Sequence, residues 1–194
     1  MSAITLRAGA SVLAALLSGL AMADAPSDIH FLVSGGFTAG GDRLTTAFFT
    51  NGTQSAIKAG ERLQLNLGAH WQPANSPFSA QLTYGYHADS AEGDNGKITF
   101  DRWPVELLAH YHWREQFFLG GGVRMATRSK LTYSINGLKQ NYPLDSEPGL
   151  VGEIGWQPVP TLSFVLRGVS ERYKSEDGVR FDGGHVGLFG QLVF

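Results

Sequence analysis

The sequence predicts an all-β protein that forms an eight-stranded antiparallel up-and-down transmembrane β-barrel. Three observations predict this fold: apolar and polar residues alternate with a period of two in eight segments, the links between segments alternate in length, and aromatic residues lie at segment ends. With 194 residues, of which 43% are hydrophobic and 11% aromatic, the chain fits one folded domain. With a formal net charge of −2, the chain lacks the excess of positive charge that attracts a phosphate backbone, so we expect no nucleic-acid partner.

Residues 1–23 have the pattern of a secretory signal peptide. Arg7 is the only charged residue of this segment, and a run of apolar and small residues follows it. Ala21 and Ala23 provide the small side chains that a signal peptidase accepts. The sequence therefore predicts an exported barrel domain over residues 24–194. No other stretch approaches the ~18 consecutive apolar residues that a membrane-spanning helix requires, so we do not expect a helical membrane protein.

Eight segments each have one apolar and one polar face, which is typical of strands with one face in lipid. In the second segment, for example, Leu63, Leu65 and Leu67 alternate with Gln64 and Asn66. Read at every second residue, the apolar faces span 29–37, 63–71, 78–86, 103–113, 117–125, 150–156, 162–166 and 186–194. The opposite faces carry His30, then Gln64 and Asn66, Gln81 and Thr83, Arg102 and Glu106, Gly120 and Arg124, Glu153 and Gln157, Ser163 and Arg167, and His185 and Gln191. A tilted strand of ~9–11 residues crosses a bilayer, and most of these segments approach that length.

The links between the segments alternate between short and long. Short links lie at 73–77, 114–116 and 158–161, whereas longer, polar links lie around 42–60, 90–97, 129–148 and 174–180. Short turns at one rim and long loops at the other are typical of outer-membrane barrels, whose long loops lie outside the cell. The alternation therefore predicts that both ends of the barrel domain lie at the periplasmic rim.

A soluble barrel or sandwich also alternates apolar and polar residues, but it turns the apolar face inward. The aromatic residues at segment ends, the alternating link lengths and the final Phe194 all favour the membrane barrel. The aromatic residues at the segment ends are Trp71, Trp103, Tyr111, Trp113 and Trp156. We therefore expect the polar face to line the lumen.

The last segment carries a further signal. Phe194 is preceded by Leu192, Leu188 and Val186 on the same face, and this pattern resembles the C-terminal signal that the barrel-assembly machinery recognises. Over essentially its whole mature length, the chain resembles the small eight-stranded outer-membrane barrels of Gram-negative bacteria, the OmpA/OmpX type. The resemblance implies a location in the outer membrane, contact with its lipid and lipopolysaccharide, and assembly by that machinery. Because a closed barrel has no free edge, we expect a monomer.

Charged residues on the polar faces predict a salt-bridge network in the lumen. An eight-stranded barrel leaves an interior just wide enough for side chains, and charges in such a space have to be paired. Glu171 is a further acidic candidate beside the main set. The predicted network consists of Arg62, Arg102, Glu106, Arg124, Glu153 and Arg167. We expect it to close the barrel and to stiffen it.

The histidines all fall on the predicted inward face; they are His30, His70, His87, His110, His112 and His185. Imidazoles on neighbouring strands suit a divalent cation, and four of these histidines lie toward the periplasmic rim: His30, His70, His110 and His112. No dense ligand motif accompanies them, and an inward histidine in a polar lumen is usually just hydrogen-bonded. We therefore expect lumen histidines without a metal or another cofactor.

The sequence favours a structural or surface-interaction role over catalysis. It contains neither the His-x-Ser spacing of the lipid A deacylases nor a Gly-x-Ser-x-Gly elbow, so no catalytic residue is predicted. The long links offer Phe48, Phe49, Tyr133 and Tyr142 as apolar anchors for a surface ligand. Two alternatives stay open: an enzyme that modifies lipid A through scattered loop residues, and a narrow channel along the charged lumen.

Overall fold

The computed structural model describes residues 28–48, 54–93, 96–135 and 137–194. The predicted signal peptide over residues 1–23 lies outside this part, as do Phe49 and the side chain of Phe48. The strands are β1 (Ile29–Gly40), β2 (Arg43–Phe48), β3 (Gln54–Lys58), β4 (Arg62–Trp71), β5 (Phe78–Gly93), β6 (Gly96–Arg114), β7 (Phe117–Ile135), β8 (Leu138–Val159), β9 (Leu162–Ser175), β10 (Arg180–Asp182) and β11 (His185–Val193). No helix in the described ranges is long and apolar enough to span a membrane.

Eight of the described strands close into one antiparallel ring. Their order around it is β1, β4, β5, β6, β7, β8, β9 and β11, and β11 pairs back onto β1 with Val33 opposite Leu192. Phe31 and Phe194 exchange two backbone hydrogen bonds of 3.2 and 2.9 Å where the ring closes. The predicted eight-stranded antiparallel barrel is confirmed. Both ends of the described barrel lie at the rim that carries the short turns 72–77, 115–116 and 160–161, as predicted.

The apolar faces of the strands point outward. On β4, Leu65 and Leu67 are 49% and 55% exposed, whereas Gln64 and Asn66 are 0% and 1% exposed. A soluble barrel would bury the leucines, because exposure of apolar surface to water is unfavourable.

Aromatic contacts border this apolar outer band. They are Phe78 with Tyr111, Trp113 with Phe117 and Trp156 with Phe164 at the rim of short turns, and Trp103 with Tyr84 and Tyr86 at the other end. Such paired belts are typical of the two water interfaces of a membrane.

Three of the predicted long loops contain strands, and this part of the prediction was wrong. The link 42–60 contains β2 and β3, and two other links are extensions of strands of the ring. β5 and β6 pair up to Gly93 and Gly96, and β7 and β8 pair up to Ile135 and Leu138. The alternation continues beyond the membrane band, but the polarity of the two faces is inverted there. The segments were interpreted as loops because apolar residues now point inward and polar residues point to water, opposite to the pattern within the membrane.

The extensions enclose a cluster of buried apolar side chains, which we call the apolar plug. It consists of Ile57, Ala59, Ala91, Ile98, Phe100, Ala126, Leu131, Leu144 and Tyr173. The β2–β3 hairpin forms a separate two-stranded sheet, and Ile57 at its end is fully buried in the plug. Because the long links of such barrels lie outside the cell, we expect the plug at the extracellular end, and we name the two ends of the barrel on this basis.

Candidate functional site

A series of oppositely charged side chains runs along the lumen below the apolar plug. Arg124 donates from Nε to Glu171 Oε2 at 2.8 Å and from Nη1 to Glu106 Oε1 at 2.7 Å. Arg167 donates from Nη1 to Glu106 Oε2 and from Nε to Glu153 Oε2, both at 2.8 Å. These are charge-assisted hydrogen bonds of short length, and the groups that form them are all buried.

The series has a different character at each end. At the periplasmic end, His110 Nε2 lies 2.6 Å from Glu153 Oε1. At the extracellular end, Arg102 Nη1 lies 3.7 Å from Glu171 Oε1, which is beyond hydrogen-bond distance. The Arg102 guanidinium instead lies over the Phe100 ring, 4.6 Å from its centre. We call the whole series the lumen charge chain; its members are Arg102, Glu171, Arg124, Glu106, Arg167, Glu153 and His110.

Neutral side chains from the opposite wall complete the chain. Gln64 donates to Glu106 Oε1 at 3.1 Å and accepts from Arg124 Nη1 at 3.0 Å. Arg124 Nη2 donates to His87 Nδ1 at 3.2 Å, and His87 Nε2 lies 2.9 Å from Thr38 Oγ1. Together with the ion pairs above, these bonds connect β1, β4, β5, β6, β7, β8 and β9 across the interior, so the lumen at this height is filled by mutually bonded side chains.

The structure brings five of the six predicted network residues together and places Arg62 elsewhere. The Arg62 side chain is 53% exposed, and its Nε lies 2.9 Å from Asp89 Oδ1 at the rim. Simple alternation would turn Arg62 inward, like Gln64. At the first residue of β4, however, the backbone adopts a left-handed φ of 78°, which takes the side chain out of the alternation. Glu171, a secondary candidate from the sequence, occupies a central place in the chain.

The four predicted periplasmic histidines do not form one site. His110 joins the charge chain, and His112 Nε2 lies 3.1 Å from Ser79 Oγ. His30 is exposed at the rim and opposite His70 in the strand register. His70 is buried, and neither of its ring nitrogens has a hydrogen-bond partner within the described residues.

A different group has the spacing of a metal site in the described part of the chain. Ligand atoms of His87, Glu171 and His185 lie within 4.8 Å of one another. However, Arg124 Nη2 donates to His87, and His185 Nδ1 lies 2.7 Å from the Gly183 carbonyl. Two guanidinium groups also lie beside Glu171, and their charge repels a cation. The arrangement therefore favours a hydrogen-bonded cluster over a metal centre.

An apolar cleft of about 560 Å³ opens beside the plug at the extracellular end. One wall is the β7–β8 hairpin, and the other is the segment between β9 and β10 together with Phe181. Its apolar lining consists of Leu44, Leu131, Tyr133, Ile135, Leu138, Tyr142, Leu144, Val179 and Phe181. Leu138 and Val179 remain 75% and 53% exposed. A concave apolar surface of this size, with few polar groups, is typical of a ligand site.

The sequence indicated only part of this cleft. Tyr133 and Tyr142 were predicted as surface anchors, and their rings meet edge to face with centres 5.6 Å apart. The aliphatic residues beside them were not predicted, since residues 129–148 were interpreted as a loop. The alternation of Leu131, Tyr133 and Ile135 with polar residues was the pattern that could have indicated a strand here.

The fold and the outward apolar band define an outer-membrane β-barrel. The family model described as "Outer membrane protein beta-barrel domain" matches residues 12–188, and the chain belongs to this family. A comparison with curated protein sequences gives no match.

Two solved structures are similar to this chain in fold. Neisserial surface protein A superposes with a TM-score of 0.55 at 7% identity, covering 87% of this chain and 98% of its own. Ail, the attachment invasion locus protein of Yersinia pestis, solved in complex with the heparin analogue sucrose octasulfate, gives a TM-score of 0.51 at 15% identity, covering 86% and 99%. At these identities the likeness shows the fold alone.

Proposed function

We propose that this chain is a non-enzymatic outer-membrane barrel that binds a partner at the cell surface and does not conduct ions. The apolar cleft is the main support for this proposal. It is formed by strands that extend beyond the membrane band, so its apolar surface is not in contact with lipid. Exposed apolar surface of this kind is costly in water and marks an interaction site. The likeness to Ail and Neisserial surface protein A in fold is compatible with this role.

The interior supports a closed barrel. A continuous water path would have to pass both the lumen charge chain and the apolar plug. Arg102, Arg124 and Arg167 are at most 2% exposed, and Phe100 and Ile57 are fully buried. Eight strands leave little space beyond that occupied by side chains. We therefore propose that the lumen stabilises the barrel and that the extracellular end performs the function.

Retention of intact cells on octyl-agarose tests the surface role. Cells that produce the chain should be retained more strongly than cells without it, because the cleft offers apolar surface to the resin. The double substitution Leu138→Lys with Tyr142→Lys should abolish the difference. The matched control is Thr132→Lys with Ser134→Lys, which places the same two charges on the outer face of the same hairpin, where Thr132 Oγ1 donates to Asn141 Oδ1. Equal retention of the cleft variant and the control would contradict the proposal.

A lipid A-modifying enzyme is the alternative class of function. Production of the chain should leave the lipid A mass spectrum unchanged. A loss or gain of one acyl chain would refute the non-enzymatic role.

A further inference from the structure

One edge of the β7–β8 hairpin is open. Residues 138–143 of β8 pair with β7 on one side, from Leu138 opposite Ile135 to Pro143 opposite Lys130. β9 joins the other side of β8 only at Leu144, which lies opposite Ser175. No strand in the described ranges pairs with residues 138–143 on that side. The backbone groups of such an edge are a template for another strand.

The other edge of the same extracellular sheet is covered by the chain itself. β5 forms that edge beyond residue 88, where its pairing with β4 ends. The Lys58 backbone N–H at the end of β3 donates to Asp89 Oδ2 at 2.9 Å there. In the described part of the chain, β3 thus contacts the β5 edge at Asp89, whereas no strand pairs with the β8 edge at residues 138–143.

The open edge lies along the apolar cleft, and its side chains alternate. Leu138, Gln140 and Tyr142 line the cleft, and the Tyr142 hydroxyl donates to Gln140 Oε1 at 3.0 Å. Lys139 is not among the residues that line the cleft. A strand added here would therefore direct every second side chain into the cleft. Pro143 has no N–H and sets the lower limit of the usable edge.

The opposite wall of the cleft carries unpaired negative charge. Glu176 and Asp177 are exposed, and neither forms an ion pair with another described residue. Asp177 lines the cleft, and it is the only carboxylate among the lining residues described. Basic groups on a bound chain would complement these two carboxylates.

We propose that the cleft accepts an extended polypeptide segment of an extracellular partner, which adds as a strand to β8 at residues 138–142. Its alternate apolar side chains contact Tyr133 and Tyr142, and its basic residues lie near Glu176 and Asp177. Main-chain hydrogen bonds supply affinity in this mode of recognition, and the pockets for alternate side chains supply specificity. This inference rests on the proposed surface-binding function and names the chemistry of the partner.

Peptide binding to the purified chain in lipid nanodiscs tests the inference. The probe is a fluorescein-labelled peptide of alternating valine and threonine, nine residues long with lysine at both ends, and the readout is fluorescence polarisation. We expect saturable binding. We expect at least tenfold weaker binding for the same peptide with its inner amides N-methylated, because methylation removes the donors and keeps the side chains. A peptide with serine in place of lysine should lose affinity on the wild type.

Variants of the chain separate the parts of the inference. Tyr142→Lys should weaken binding at least tenfold, and Thr132→Lys on the outer face should not. Asp177→Asn with Glu176→Gln should weaken the lysine-flanked peptide and leave the serine-flanked one unchanged. A heat-dependent shift in gel mobility shows that each variant is folded. Strand addition would be wrong if N-methylation did not change the affinity of the peptide. It would also be wrong if the peptide did not bind while the cells were still retained on octyl-agarose. Either result would be compatible with the proposed function. Loss of both peptide binding and retention would overturn both strand addition and the proposed function.

Discussion

Removal of Arg124 should strongly destabilise the barrel. Its guanidinium forms two charge-assisted bonds, to Glu106 at 2.7 Å and to Glu171 at 2.8 Å. The substitution Arg124→Met removes both bonds, so the buried carboxylates of Glu106 and Glu171 each lose one partner. Each such bond contributes ~1.5–3 kcal/mol, and breaking a buried pair from one side costs ~3–5 kcal/mol. We therefore expect the free energy of unfolding to fall by about 3–5 kcal/mol.

The matched control is Arg102→Met on the neighbouring strand. Arg102 is equally buried, but its closest approach to a carboxylate is 3.7 Å, and its guanidinium lies over the rings of Phe100 and Tyr173. Replacing a poorly paired buried charge with an apolar side chain of similar size is often close to neutral. We expect less than half the loss seen for Arg124→Met.

Urea titration in liposomes, with folded and unfolded chain separated by gel mobility, measures both variants. Lys97→Ala serves as a surface control, since Lys97 and Glu92 form an exposed ion pair at 3.3 Å and such pairs contribute ~0–1 kcal/mol. Equal losses for Arg124→Met and Arg102→Met would show that burial alone sets the cost and that the hydrogen-bond geometry does not.

Three further predictions follow from the same geometry. Gly155→Ala should lower stability by about 1–3 kcal/mol in the urea titration, because the added Cβ would overlap the Phe118 ring, whereas Gly152→Ala on the same strand meets nothing within 4 Å and should be neutral. Planar bilayers should record no discrete conductance steps from the wild type, and regular steps would contradict a closed lumen. Phe100→Ala should lower the midpoint of the urea transition by removing a fully buried ring from the apolar plug, at a cost of ~3–5 kcal/mol, and an unchanged midpoint would contradict the packing described.

Much of the barrel was predictable because one physical rule acts on every membrane strand. Lipid on one side and a polar lumen on the other force a period of two, and Leu63, Leu65 and Leu67 opposite Gln64 and Asn66 show it directly. The extracellular extension was not predicted, because the apolar residues change from the outward to the inward face at the membrane border. On β6, the inward face changes from Arg102 to Phe100 and the outward face from Trp103 to Asp101 over two residues. The cleft lies on such inverted segments.

The lumen residues were predictable as a set, but their pairing was not. Arg124 and Glu171 lie on strands that are not neighbours in the ring, so their contact depends on the width of the barrel and on the tilt of its strands. The position of Arg62 depends on one backbone angle, which alternation does not encode. Sequence patterns report the face on which a side chain lies, and only the closed ring determines which partner it meets.

The proposed function requires the cleft on the β7–β8 hairpin to face the outside of the cell. The chain has no cysteine, so a single introduced thiol reports its own location. Asn141→Cys on the hairpin and Ala74→Cys in the short turn 72–77 would each be treated with a membrane-impermeant maleimide on intact cells. We predict labelling of Asn141→Cys at once and of Ala74→Cys only after the outer membrane is permeabilised. Labelling of Ala74→Cys on intact cells, with Asn141→Cys protected, would show the opposite orientation and exclude a surface role for the cleft.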